Sequence, residues 1–346
     1  MAPSIDWSSV RRVLVVRLRS IGDTVLATPT LEALRRSLPD SEIDILLEQH
    51  IAPVLDGYKG VNVVVVGDGN AAKLKAARYL RSRRYDVAIN LHGGTTSSIF
   101  VRASGARHRI GYSHYRYPRV YTELYASAAD MWGTADIHSA EQQLALVGLA
   151  GIAVDDRPGS QLVVTEAAAD EIDGRIVSLP HERFAMMHPA AGYFTKEWPL
   201  DGFARVSEFL ASNGFSVVAV ASESESAVLN ELKLRSQAPV VTFDDLRLPE
   251  ITALASRARL FIGNDSGIAH IAAAVGTPSV VIFGSSNRTH WRPWTDAPNE
   301  VVFAPYECQP CPGYECKVFS DAPCIRSITP HAVNSAVERV LSASKG

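Results

Sequence analysis

Asp265, Ser266 and Gly267 stand between an apolar run, ARLFI, and the small-residue stretch IAHIAAAVG, which leads through Gly276 and Pro278 into PSVVIFG. A helix opening at that hinge presents unpaired N–H groups and the positive end of its dipole, an arrangement that holds phosphate. Gly267 lets a ligand approach the backbone, and Ala269, Ala272, Ala273 and Ala274 let the helix lie tight on a sheet. An Asp N-cap on an ordinary crossover helix accounts for the same residues. A second carboxylate, Asp23, closes the stretch RLRSIGD after the apolar run VLVVRL. It reads as another N-cap or as a general base kept ionised by Arg17 or Arg19.

Three further segments carry charge where a strand ends. HPAAGYFTKEWP (188–199) sets Lys196 on a loop before a helix opening at Pro199. Its ammonium is either a point charge for a diphosphate or a solvated surface group, and Trp198 beside it is suited to position the loop. Glu225, in the SESE segment after FSVVAVA, either accepts hydrogen bonds from ribose hydroxyls or complements a helix dipole. RASGARHRIGYSHYRYPRVY (102–121) holds five arginines, two histidines and four tyrosines. Its guanidinium forks, Arg107 and Arg109 among them, suit phosphate or carboxylate groups.

The elements that must position these groups alternate. VLVVRL (13–18), EIDILLE (42–48), VNVVVV (61–66) and YDVAINL (85–91) are separated by helical patterns in the first half. FAMMH (184–188), FSVVAVA (215–221), PVVTF, RLFIG and PSVVIFG repeat the alternation in the second. Such spacing predicts βαβ units and parallel sheets, with ligands beyond the carboxyl ends of the strands. The 346 residues suit two domains. The Asp, Gly and Pro punctuation between the halves puts the boundary near residue 180, giving domains 1–178 and 179–346 that face a central cleft.

A net charge of −3 excludes a generic nucleic-acid binder, which needs a basic face and a high pI. MAPSIDWSSVRR lacks an apolar leader core, and no stretch reaches the ~20 apolar residues that span a bilayer. A cytoplasmic protein follows, with peripheral contact at the inner face of the membrane compatible with this composition. Cys308, Cys311, Cys316 and Cys324 are the chain's only cysteines and lie in one stretch. In a reducing compartment that clustering suggests a structural Zn or Fe knuckle, or reduced thiols packed in a loop.

Taken together, RLRSIGDTVLATPTLEALRR, HPAAGYFTKEWP and NDSGIAHIAAAVGTPSVVIFGSSNRTHWRPW resemble the heptosyltransferases of bacterial lipopolysaccharide synthesis, over nearly the whole chain. The resemblance implies an inverting GT-B glycosyltransferase with two Rossmann-like domains, an ADP-heptose donor on the second domain and an acceptor on the first. By matching position, Asp23 is then the general base and Lys196 binds the donor phosphates. Asp265, Ser266, Gly267 and His270 hold the diphosphate and sugar, and Glu225 contacts the nucleoside. At Glu225 the chain departs from the family, with Ala221-Ser222 where relatives often have two glycines. The acidic inner-core lipid acceptor would meet Arg107 and Arg109. No catalytic metal is required on this reading, and there is no Asp-x-Asp triplet at a strand end.

Other readings predict other things. VNVVVV followed by Gly67-Asp68-Gly69-Asn70-Ala71-Ala72 is formally a dinucleotide fingerprint, but Asp86 begins the next strand instead of ending it. A nucleotide-sugar epimerase would need no acceptor, a binding protein would tolerate loss of Asp23, and a protein heptosyltransferase would differ only in acceptor loops.

Overall fold

The computed structural model describes residues 5–311 and 313–344, which divide into two units, Met1–Leu162 and Val163–Gly346. β-Branched residues crowd each side chain at its Cβ and favour extended backbone, and strands buried on both faces read as unbroken apolar runs. The first unit accordingly contains β1 (Arg12–Leu18), β2 (Glu42–Glu48), β3 (Asn62–Val66), β4 (Val87–Asn90), β5 (His108–Tyr112) and β6 (Glu123–Tyr125). Their order across the sheet is β3-β2-β1-β4-β5-β6, and every pairing is parallel.

The second unit contains β7 (Phe184–His188), β8 (Ser216–Val220), β9 (Val240–Phe243), β10 (Leu260–Asn264), β11 (Ser279–Phe283) and β12 (Asn299–Phe303). They are ordered β12-β11-β10-β7-β8-β9, again all parallel. Read from each unit's first strand, the two successions are the same doubly wound order. The order reverses between β1 and β4 in one sheet and between β7 and β10 in the other. At such a point the connections leave in opposite directions, and a crevice opens at the carboxyl ends of the strands.

Apolar residues hold each sheet under its helices. Leu14, Val16, Leu46, Leu80, Ala88 and Phe100 belong to a buried cluster in the first unit. Met187, Trp198, Phe203, Leu210, Ile262 and Val337 belong to one in the second.

Two expectations are corrected. The boundary falls at 162/163, not 178/179, because the helix Glu166–Ile176 packs on the helix Leu248–Arg257 of the second unit. Arg257 pairs with Asp173 and Arg175 with Asp245 along that contact. β5, β6 and β12 were not expected as strands, and β5 runs through the middle of the arginine-tyrosine segment. Among the described residues, no helix is long and apolar enough to cross a membrane.

Candidate functional sites at the two switch points

At the carboxyl end of β1 the backbone turns sharply. Leu18 (φ 61°) and Ser20 (φ 62°) both take left-handed backbone, a costly choice for residues with a side chain. The turn launches the short helix Ile21–Val25, with Asp23 in its first turn. One carboxylate oxygen of Asp23 accepts from the Ser20 hydroxyl, and the other pairs with the Arg17 guanidinium. Asp23 is therefore not the N-cap of its helix; that place belongs to Ser20.

Arg17 is itself anchored across the switch point. It is 6% exposed, donates to the Leu91 carbonyl at 3.0 Å and lies 3.1 Å from His92 Nδ1, just after β4. Arg19 turns away to Glu48, 3.7 Å distant, so Arg17 is the cation that holds Asp23. Burial, and then the charge of Arg17, push the His92 pKa below its usual value. The imidazole is thus neutral near neutral pH.

His92 and the turn after it escaped the sequence reading. Gly93 has φ +75°, and a Cβ there would stand 2.5 Å from the Tyr115 ring, so this glycine lets the tyrosine close over the turn. The backbone N–H of Arg116 donates to Gly93 at 3.3 Å and its guanidinium to Thr95 Oγ1 at 3.3 Å. The available signal was position: LHGG follows directly on a strand that had been recognised.

Arg107 and Arg109 lie elsewhere. His108 is in register with Val87, which is in register with Val13, so Arg107 sits level with the amino end of β1. Asp23 follows its carboxyl end, roughly 20 Å away along strands that rise ~3.3 Å per residue. The Arg109 guanidinium donates to the Val120 carbonyl at 2.5 Å and the Ala106 carbonyl at 2.7 Å, which spends its fork on the fold. Burial, then Arg102, lower its pKa. Arg107 is exposed. The parallel order thus separates both arginines from Asp23 along the strands.

In the second unit the switch point gathers a different set. Lys196 ends the short turn Phe194–Lys196 after β7, and its Nζ stands 2.8 Å from Asp265 Oδ2, just after β10. Asp265 is 6% exposed. The helix Gly267–Ala274 begins with Ser266 as N-cap, yet no side chain caps it. Ser266 Oγ lies 3.1 Å from His188 Nδ1, and Asp265 is engaged by Lys196. The Asp N-cap alternative is therefore not realised, and among the described residues the first N–H groups of this helix have no side-chain acceptor. Ala269, Ala272, Ala273 and Ala274 are buried, as their size suggested, and His270 is 5% exposed on the same helix.

The lysine loop is held at several points. Trp198 is 2% exposed, its backbone N–H donates to Asn264 Oδ1 at 3.1 Å and its indole to the Ile328 carbonyl at 2.9 Å. A Cβ on Gly284 would come within 2.1 Å of the Thr195 carbonyl oxygen, so the strand end and the loop meet backbone to backbone. The Thr195 hydroxyl is 3.0 Å from Ser285 Oγ and also donates to the Gly313 carbonyl.

Glu225 has a defined structural task. Its carboxylate accepts from the Ser222 N–H at 3.1 Å and the Ser222 hydroxyl at 2.6 Å, closing a capping box. It also lies near enough to act on two neighbours. The Glu197 pKa is raised by burial and then by Glu225. His188 is pushed down to about 4 by burial, opposed by Glu225. A neutral His188 thus stands between β7 and the uncapped helix.

The four cysteines are free thiols, with Cys324 buried and the others partly exposed. Burial raises the Cys324 thiol, followed by Cys311, Cys308 and Cys316, which places the four in one neighbourhood. Among the described residues, however, no three His, Cys, Asp or Glu side chains are arranged to hold a metal ion. Gly67 and Gly69 follow β3, the edge strand, and lie away from the switch point that a dinucleotide fingerprint would occupy.

Two doubly wound sheets, one with a held carboxylate and one with a lysine and an uncapped helix at their switch points, define a GT-B glycosyltransferase fold, and solved structures agree. The chain matches the glycosyltransferase family 9 from Veillonella parvula DSM 2008 with a TM-score of 0.81 and 20% identity, covering 96% of this chain and 97% of that one. It matches E. coli ADP-heptose lps heptosyltransferase II with a TM-score of 0.80 and 22% identity, covering 97% and 100%. In sequence it is 30% identical to lipopolysaccharide heptosyltransferase 3 of Escherichia coli (strain K12) over 294 residues, 81% of this chain and 84% of the relative. The model of glycosyltransferase family 9 (heptosyltransferase) matches residues 73–320, and the chain belongs to that family. Lys196, Glu225 and residues 265–270 fall within the matched span, and Asp23 precedes it.

Proposed function

We propose that the protein transfers heptose from ADP-heptose to a lipopolysaccharide inner-core acceptor with inversion at the anomeric carbon. The observation that carries this reading is the uncapped helix Gly267–Ala274 beside the Lys196–Asp265 pair. Free N–H groups and an ammonium suit the donor diphosphate and the charge that grows on departing ADP. Asp265, Ser266, Gly267 and His270 line that position, and the heptose hydroxyls fall to the carboxylate of Asp265. Glu225 accepts from the nucleoside while keeping its cap.

Asp23 takes the proton of the attacking acceptor hydroxyl. Arg17 and Ser20 each hold one of its carboxylate oxygens and so fix its orientation. The hydroxyl oxygen then bonds to the anomeric carbon as the bond to ADP breaks on the opposite face. Every step runs on side chains of this chain and no metal is invoked. The first unit binds the acceptor, with His92, Tyr115 and Arg116 gathered around the turn after β4, next to Arg17.

The test is acceptor-dependent ADP release from ADP-heptose, with a heptose-free core and a heptose-bearing core as separate acceptors. The likeness to a heptosyltransferase 3 makes the second acceptor necessary. Release with one of these that collapses in Asp23→Asn is expected. Release that needs no acceptor, or that survives the substitution, would refute the assignment.

A further inference from the structure

The helix Gly69–Arg83 and the residue after it hold six basic residues and no acidic one, in a chain of net charge −3. Lys73, Lys75, Arg78, Arg81 and Arg84 are exposed, as are Leu74 (52%) and Tyr79 (46%). This helix packs on the helix Thr95–Ser104. Between that pair and the turn Pro118–Val120 is a hollow of about 700 Å³. Ile99, Ala103, Tyr117 and Val120 form its apolar lining, and Arg81, Arg102 and Arg119 stand around it. Ile99 is 57% and Tyr117 53% exposed. Among the described residues these three arginines form no ion pair, whereas neighbouring Arg83 pairs with Glu42 and Asp44.

Exposed apolar side chains are unfavourable in water, and with unpaired arginines around them they match a surface with anions above and hydrocarbon below. A soluble anion would use the charges and leave Ile99, Leu74 and Tyr117 unexplained. We propose that this face of the first unit docks on an anionic lipid bilayer, with Arg81, Arg102 and Arg119 on lipid phosphates and Ile99 and Tyr117 entering the interface. The proposal requires neither the donor nor sugar transfer, so it stands or falls separately from the enzymatic reading.

The experiment is sedimentation of the full chain with vesicles of phosphatidylcholine alone and of phosphatidylcholine with roughly one-third phosphatidylglycerol. Binding to the anionic vesicles only, weakened by salt, is expected. The triple variant Arg81→Glu, Arg102→Glu, Arg119→Glu, checked for an unchanged thermal midpoint, should lose about tenfold or more in vesicle affinity. The neutral pair Ile99→Ser, Tyr117→Ser should lose a smaller but measurable part, which a purely electrostatic site would not. Equal binding to both vesicle types overturns the proposal, as does undiminished binding of a folded triple variant. Full displacement by inorganic phosphate at equal ionic strength also overturns it, assigning the hollow to a small anion.

Discussion

The two sheets share one strand order and put their chemistry at the same topological point, yet the two points are chemically unlike. In the first, a strained turn and a five-residue helix hold a carboxylate against a buried arginine that reaches across to the next strand. In the second, an ammonium and a carboxylate neutralise each other beside a longer helix whose N–H groups are left uncapped. A parallel sheet therefore decides where a site forms, and the side chains after two particular strands decide what it does. On the proposed reading the first accepts a proton and the second receives an anion.

Substitutions separate these roles. Asp23→Asn should give the largest effect, a fall in kcat of about 100- to 10,000-fold with little change in donor KM. A fall in stability alone, with kcat intact in the folded fraction, would make Asp23 merely the partner of Arg17. Gly284→Ala pushes a Cβ into the Thr195 carbonyl and should cost about 3 kcal/mol in denaturant unfolding, with donor KM rising because Lys196 is displaced. An unperturbed KM would show that the loop does not depend on that contact.

His188 supplies a pH test confined to the second unit. The unfolded histidine takes up a proton near 6.5, and the folded one only near 4, because burial disfavours its charged form. Between those values the unfolded state binds more protons, so stability present above pH 6.5 drains away as pH falls towards 4, by up to about 3 kcal/mol. His188→Asn should flatten that part of the stability curve; an identical slope in both proteins would contradict the burial argument.

Lys196→Met leaves Asp265 buried without its cation and should cost about 2 kcal/mol, together with a marked rise in donor KM. Adding Asp265→Asn should recover much of the stability and none of the KM, which separates fold from binding. The smallest effect is expected at Glu225→Gln, which can still cap Ser222: less than about 1 kcal/mol in stability. Any substantial rise in KM there measures contact with the nucleoside.

The sequence by itself determined the parts of this protein that depend on near neighbours. Short apolar runs marked nine of the twelve strands among the described residues, and RLRSIGD and NDSGIAH placed Asp23 and Asp265 just beyond strand ends, because strand propensity and helix starts are local physics. Trp198 also anchors its loop as its size and position suggested. β5 was hidden because HRIGY sets one isoleucine among two polar residues and a glycine, and its strand is seen only in its pairing with β4 and β6. Tertiary structure alone chose Arg17 over Arg19 as partner of Asp23, joined Lys196 to Asp265 across 69 residues, and brought His92 and Tyr115 to the first switch point. It also spent Arg109 on carbonyls and moved the boundary to 162/163. Those outcomes are set by which strands become neighbours and which charges lose their water, and neither is written in the spacing of residues along the chain.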